Sequence, residues 1–394
     1  MTLTDSYKKK IDKTINKILK VTSVEKDFAD VSLLRGKAGL SIFFAYHHLY
    51  KNDSYSEEIC FNYIDDIIDH SNTNDDVPFI GTGFTGLSWM ICHLINQKVI
   101  DEDSAEVLEE VRDVIKSSIS HNIIGNRYDL FYGYLGLGVY FNEDKQHEYK
   151  EQQQLIIEKL ISNIIYDSNS IKWATSNDEL ELSYNLGIPH GIPGIILYLL
   201  DQLKHSENPN LLSDIITKGI NWIISRKYPS GNFMFPNYVT DVKNQNIGGR
   251  LAWCHGDLGI SFLLIKAGLA LNNNSWYKLG YDVALNASHI KIEETGVVND
   301  EGQYNLGFCH GTSGIAYIFS RLSAICNCQE LHLVSQKWLE ITLDKIENHL
   351  EMYSTETRED NQLGLLEGFA GIGLVLLSFV NKDKHDWDRL FLLN

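Results

Sequence analysis

The sequence is short of basic residues: 34 Lys and Arg stand against 52 Asp and Glu, a formal charge of −18 over 394 residues. Its one dense basic run, Lys8-Lys9-Lys10, lies in an N-terminal helical pattern and reads as a solvated helix face. A general nucleic-acid binder needs clustered Lys and Arg for phosphate contacts, so that class is excluded. No apolar run approaches the ~18 residues that span a bilayer. The N-terminal Met-Thr-Leu-Thr-Asp lacks the apolar stretch of a secretory signal. Cysteine is also scarce. Six in so long a chain do not make a disulfide framework, and a reducing, cytoplasmic setting is expected. Free cysteines there are small buried hydrophobes, metal ligands or redox groups.

With 44% hydrophobic residues the chain can bury a sizeable core. Its organisation follows from an internal repeat. A Gly-x-x-Gly element occurs at Gly36–Gly39, Gly83–Gly86, Gly133–Gly136, Gly191–Gly194, Gly256–Gly259, Gly311–Gly314 and Gly368–Gly371, with first glycines 47 to 65 residues apart. One such element is weak evidence; seven at quasi-regular spacing with the same flanks define a repeat architecture. After each second glycine comes an apolar run, such as Leu40-Ser-Ile-Phe-Phe-Ala or Ile195-Ile-Leu-Tyr-Leu-Leu, expected to be a buried helix. Before each element lies a more polar helical pattern with one apolar stripe. Ile11, Ile15, Ile18 and Leu19 form one stripe; Val107, Leu108, Val111, Val114, Ile115 and Ile119 form another.

Seven repeats of an outer and an inner helix predict an all-α chain of about fourteen helices, one toroidal unit over residues 1–394. An open solenoid needs polar caps at its ends. Here the last inner run, Ile372-Gly-Leu-Val-Leu-Leu, is as apolar as the others, so the array is expected to close into an α,α-toroid with the glycine turns at one mouth. Glycine suits such turns because it permits positive φ and lets backbones crowd together. Two longer stretches, 166–186 and 227–249, read as inserts. Tyr228-Pro-Ser-Gly-Asn-Phe-Met-Phe-Pro in the second resembles a short hairpin, and either insert could clamp a substrate.

Turns that converge on one mouth bring the residues just before each Gly-x-x-Gly into a common space. These include His190, Cys254 with His255, and Cys309 with His310; Asp129 stands four residues before Gly133, and Arg250 four before Cys254. A lone cysteine is usually packing. Two in register on adjacent turns, each followed by His and Gly, point to metal ligation, because thiolate and imidazole are favoured zinc ligands. Three protein ligands leave one position open, which is the catalytic arrangement. Two thiolates and a neutral imidazole bring Zn²⁺ to net zero charge. Such a centre polarises carbonyls poorly but suits binding a third thiol and keeping it electron-rich.

The strings Ile188-Pro-His-Gly-Ile-Pro-Gly194, Trp253-Cys-His-Gly-Asp-Leu-Gly259 and Phe308-Cys-His-Gly-Thr-Ser-Gly314 resemble the lanthionine-synthetase C family of lanthipeptide cyclases. The likeness runs over all seven repeats, from Arg35 to the Trp387-Asp-Arg-Leu tail. It implies an α,α-toroid, and Zn²⁺ held by Cys254, Cys309 and His310. The activity it implies is closure of thioether rings in a dehydrated precursor peptide carrying a leader. Family acid/base residues map onto His190 and Asp129, and the motif arginine onto Arg250. In the implied reaction a peptide thiol adds to dehydroalanine or dehydrobutyrine. His190 is the expected acid/base, Asp129 orients the imidazole or Arg250, and Arg250 stabilises the enolate. His255 stands where stand-alone cyclases often carry Tyr and matches fused synthetases and eukaryotic relatives; it is carried as a further candidate catalytic residue. The chain is too short to hold a fused dehydratase. A separate dehydratase and an exporter complex at the membrane are therefore expected partners.

Rival readings are a prenyltransferase-like toroid, glutathione addition to dehydrated residues, and a non-catalytic zinc-stabilised peptide-binding ring. The first needs a basic diphosphate pocket, and no Lys/Arg cluster lies near the turns. The third requires a closed, four-ligand site. Cys326-Asn-Cys328 is expected to be packing or loop chemistry, and Cys60 and Cys92 to be core. Glu367, on the last turn, either caps a helix N-terminus or lines the cavity, with capping favoured. His47, His48 and His121 lack partners at ligand spacing.

Overall fold

Six of the seven carbonyls two residues before a Gly-x-x-Gly accept a backbone N–H from the preceding turn, the first turn's from the seventh, and this stitches the molecule into a ring. The computed structural model describes residues 4–23, 29–70, 78–120, 127–175, 182–241, 245–355, 362–381 and 386–394. Among them are fourteen α-helices in alternating layers. The outer helices are α1 (Asp5–Thr22), α3 (Ser54–His70), α5 (Glu109–Ser120), α7 (Lys150–Ser162), α9 (Pro209–Ser225), α11 (Asn274–Ser288) and α13 (Gln329–Thr355). The inner helices are α2 (Lys37–Lys51), α4 (Phe84–Asn96), α6 (Tyr134–Glu143), α8 (Ile192–Gln202), α10 (Asp257–Ala270), α12 (Thr312–Cys326) and α14 (Phe369–Val380). Each inner helix packs on the next, and α14 packs on both α12 and α2, so the ring closes as an α,α-toroid. The inner helices are buried on nearly every face, as their unbroken apolar runs require.

Backbone hydrogen bonds run around the mouth from turn to turn. Leu34 N donates to Gly81 O, Gly81 N to Phe131 O, Leu130 N to Pro189 O, Trp253 N to Cys309 O, Cys309 N to Leu366 O, and Leu365 N back to Leu34 O, all between 2.8 and 3.2 Å. The step from the fourth turn to the fifth differs. Pro189 has no N–H to give, and the contact is instead a close approach of Gly187 to the Cys254 carbonyl, which a Cβ on Gly187 would meet at 1.6 Å.

The turn glycines serve crowding rather than unusual dihedrals. Only Gly256 among them has positive φ, at 77°. A Cβ on Gly314, by contrast, would lie 1.8 Å from Phe308 O. The outer stripe of α1 is buried as expected. On the stripe before α5, Leu108, Ile115 and Ile119 are buried, but Val107 and Val114 are about half exposed. A 3₁₀ turn over Glu102–Leu108 carries Val107 outward, and Val114 lies beside the 108–111–115–119 face.

Strands lie in the two long connections. Ile165–Asp167 (β1) pairs with Ser170–Lys172 (β2), and Ser183–Asn185 (β3), Tyr238–Thr240 (β4) and Gln245–Ile247 (β5) form a three-stranded antiparallel sheet. The stretch from Tyr228 to Pro236, expected as a hairpin, is an irregular loop. Tyr228 N donates to Met234 O, while the N–H groups of Met234 and Phe235 turn to the buried Asp257 carboxylate, at 2.9 and 2.8 Å, instead of a strand. The C-terminal 3₁₀ turn Asp386–Phe391 buries Trp387, Leu390 and Phe391. Phe391 packs on Trp253, Phe308 and Phe131 and takes the Trp253 indole N–H on its carbonyl, so the tail supports the metal-side turns from within.

Candidate metal centre

Cys254 and Cys309 occupy the same place on adjacent turns, two residues before Gly256 and Gly311. The backbone bonds to Cys309 O hold them side by side. Their sulfurs and a ring nitrogen of His310 lie within 4.8 Å of one another, with His310 Nδ1 3.9 Å from Cys254 Sγ. Among the described residues this is the one group of three or more His, Cys, Asp and Glu side chains so gathered. The donor set and its spacing fit a tetrahedral thiophilic ion, for which ligand bonds of roughly 2.0–2.3 Å need only small adjustment. The Cys309 thiol donates to Cys254. That holds Cys254 well below the ordinary thiol range against its burial, with His255 and His310 helping, and it pushes Cys309 up.

A regular relation joins neighbouring turns. The residue immediately before the first glycine is His190, His255, His310 and Glu367 on turns four to seven. A polar side chain from the preceding turn reaches three of these four. Asp129 bonds to His190, Asn185 Nδ2 lies 3.3 Å from His255 Nε2, and Asn305 Nδ2 donates to Glu367 Oε2 at 3.0 Å. Asp129 is itself fixed, because its Oδ1 accepts the N–H groups of Phe131 and Tyr132 at 2.7 and 2.9 Å. Burial disfavours charge on His190, but the Asp129 hydrogen bond and charge, with Cys254 nearby, raise its pKa overall. For His310, burial likewise opposes charge, and Cys254 and Glu367 raise it.

Arg250 donates from Nη2 to Gly296 O at 2.7 Å, and its buried Nε has no acceptor among the described residues. It is close enough to Cys309 and His310 to act electrostatically on both. Glu367 does not cap α14, whose N-cap Gly368 has no side-chain bond. Instead its carboxylate lines the site, with Oε1 3.1 Å from His310 Nδ1.

Asn185 and Asn305 escaped the sequence reading. The signal was present as Asn-Leu-Gly-x-x-His-Gly, which occurs at 185–191 and at 305–311. In both copies Asn Oδ1 accepts the N–H of the glycine two residues on, at 2.7 and 2.8 Å, and turns the amide toward the next repeat. The remaining candidates stay apart from the site. Cys60 and Cys92 are core, and burial pushes the Cys60 thiol up to about 12. Cys328 meets Tyr281 Oη at 3.4 Å where α12 passes into α13. His47 bonds to Ser56 and His48 to the Asp53 carbonyl. His121 lies outside the described residues.

A closed ring of paired helices with two cysteines and a histidine gathered on adjacent mouth turns defines an α,α-toroid with a candidate metal site. The chain belongs to the lanthionine synthetase C-like protein family, which matches residues 27–392. It is 24% identical over 383 residues to the nisin biosynthesis protein NisC of Lactococcus lactis subsp. lactis, covering 90% of this chain and 86% of that one. In fold it is similar to the solved structure of nisin cyclase, with a TM-score of 0.76, 22% identity, and 99% and 98% of the two chains covered. No described helix is long and apolar enough to cross a membrane.

Proposed function

We propose that this protein is a lanthipeptide cyclase, joining cysteine thiols of a dehydrated precursor peptide to dehydroalanine or dehydrobutyrine to form lanthionine and methyllanthionine. The observation that carries the reading is the Cys254, Cys309 and His310 cluster on the mouth of a lanthionine synthetase C-like toroid, with an acid/base pair on the two preceding turns. Cys254, Cys309 and His310 would hold Zn²⁺, which lowers the pKa of a bound thiol and leaves the sulfur electron-rich.

The chain's own residues serve the rest of the addition. Attack on the β-carbon sends electron density to the neighbouring carbonyl, and the resulting enolate needs a proton at Cα. His190, held by Asp129 and raised in pKa, is placed to take the proton the thiol loses and return it at Cα. Arg250 Nε–H, buried and without an acceptor among the described residues, is a donor for the enolate oxygen. His255, turned by Asn185, lies against Cys254 and stands ready to shield the thiolate side of the site. The substrate carries a leader and comes from a separate dehydratase, and an exporter takes the product.

The test is mass spectrometry of a dehydrated precursor incubated with the protein, with and without zinc, using a thiol-alkylating reagent to count free cysteines. Ring closure appears as loss of alkylation at unchanged mass. Alkylation that stays complete with zinc-loaded protein would refute the reading.

A further inference from the structure

His190 stands on turn four beside Cys254. On the other flank of the cysteines, between turns six and seven and α13, lies a cleft of about 390 Å³, a size that ligand pockets have. His310 forms part of its wall, so the cleft begins at a proposed metal ligand. Its floor is apolar: Leu306 on the approach to turn six, with Phe369 and Ile372 from the start of α14, each at most 4% exposed. The walls are fixed. Tyr304 is bridged to Val298, and His349 of α13 donates from Nε2 to the Tyr304 carbonyl at 3.1 Å. Phe369 is held edge-on by Tyr353, with ring centroids 5.4 Å apart. Gln362 also lines the cleft, and its Oε1 has no hydrogen-bond partner among the described residues. The Glu367 carboxylate faces the same space, and no Lys or Arg lines it among the described residues.

We propose that this cleft is a side-chain subsite for the cysteine-bearing strand of the precursor peptide, taking an uncharged, apolar side chain two positions from the reacting cysteine. The inference rests on the cyclase reading. In that reading the acceptor double bond lies toward His190, which returns the proton at Cα. The strand that supplies the thiol is left with the opposite flank, where the cleft opens beside His310. In an extended strand alternate side chains share a face, with second neighbours roughly 7 Å apart. A cysteine that reaches down to the metal site therefore sends its second neighbours down beside it, and its immediate neighbours away. Leu306, Phe369 and Ile372 offer such a side chain apolar contact, while Glu367 repels a carboxylate and so discriminates against acidic residues there.

The experiment sets dehydrated peptides in competition for the zinc-loaded full-length chain. Each peptide has one cysteine and one dehydroalanine, with Leu, Gly or Glu two positions from the cysteine, on one side at a time. Ring closure is scored by mass spectrometry as loss of alkylation. On one of the two sides Leu should close faster than Gly by roughly 10-fold or more, the usual worth of filling an apolar pocket, and Glu should be no faster than Gly. The same residues placed next to the cysteine should show no such order. Gln362→Trp, which narrows the cleft, should cut the preference for Leu over Gly. Ile372→Ala, which deepens it, should shift the preference from Leu towards Phe. Zinc content should stay at the wild-type value in both variants. The wild-type peptide series decides the matter by itself if neither variant folds. Rings that close at equal rates whatever stands two positions away would overturn the subsite and leave the cyclase reading standing. A preference that both folded variants leave untouched would also overturn it, because the selecting surface would then lie elsewhere. If zinc-loaded wild-type protein closes no ring in any peptide, the cyclase reading falls and the subsite with it.

Discussion

His190 Nδ1 is hydrogen bonded to Asp129 Oδ2, across 61 residues of sequence and one step of the ring. A histidine whose folded pKa is raised keeps its proton to higher pH. The stability gained from its partner is present below the unfolded value near 6.5 and is lost as pH rises through the folded value. Asp129→Asn should therefore bring the His190 titration down. The alkaline limb of ring closure should move to lower pH with it. NMR of the imidazole C2–H reads this directly, and an unmoved titration would remove Asp129 from the role.

His190→Asn should keep the fold and the metal but slow ring closure by roughly 10²–10⁴-fold, the usual worth of a positioned acid/base. Unchanged cyclisation would place the proton donor elsewhere.

Cys254→Ala, Cys309→Ala and His310→Ala should each lose the roughly one zinc per chain expected of a three-ligand site. Elemental analysis after gel filtration is sufficient, and full occupancy in either cysteine variant would sink the ligand assignment. X-ray absorption on the resting protein should show two sulfurs and two light atoms. Adding a cysteine-containing precursor should raise the sulfur count towards three. A spectrum indifferent to peptide would indicate a structural ion and favour the peptide-binding ring.

Gly187→Ala should disturb the centre from a distance. The new methyl would meet the Cys254 carbonyl at the one step of the mouth that lacks a backbone hydrogen bond. Overpacking of this kind costs roughly 1–3 kcal/mol or more, and the nearest relief is movement of Cys254. Lower thermal stability together with weaker zinc binding is the expected pair of results; a stable variant with normal affinity would show that the turn can yield without moving its cysteine.

Asp257 gives a pH test of the insert's anchor. Burial pushes its carboxyl up to about 6, although two backbone N–H groups favour its charge. A carboxyl raised in the folded state binds its proton more tightly there, so stability falls as pH rises from about 4 to about 6 and then levels, by roughly 2–3 kcal/mol. Asp257→Asn lacks that titration. Its unfolding temperature relative to wild type should rise between pH 4.5 and 7, and an offset independent of pH would contradict the assignment.

The sequence by itself determined the repeat, the alternation of outer and inner helices, and the pairing of Cys254 with Cys309. All three are written in local patterns: glycine spacing, apolar periodicity and a Cys-His-Gly string that occurs twice. It also marked His190, Asp129 and Arg250 as mouth residues, since each stands at a fixed offset from a turn. What each side chain faces was decided only in three dimensions. That Asp129 meets His190 rather than Arg250, that Asn185 and Asn305 reach the next turn, and that Glu367 touches His310 instead of capping α14 all depend on how one turn stacks on another. The same holds for the Tyr228–Pro236 stretch, whose aromatic alternation suggested a strand until Asp257 took its backbone N–H groups. A turn's own residues set its shape, but its neighbour lies 47 to 65 residues away. The register between them is set by ring closure, through Leu365 N–H on the Leu34 carbonyl and α14 against α2, which no local stretch of sequence encodes.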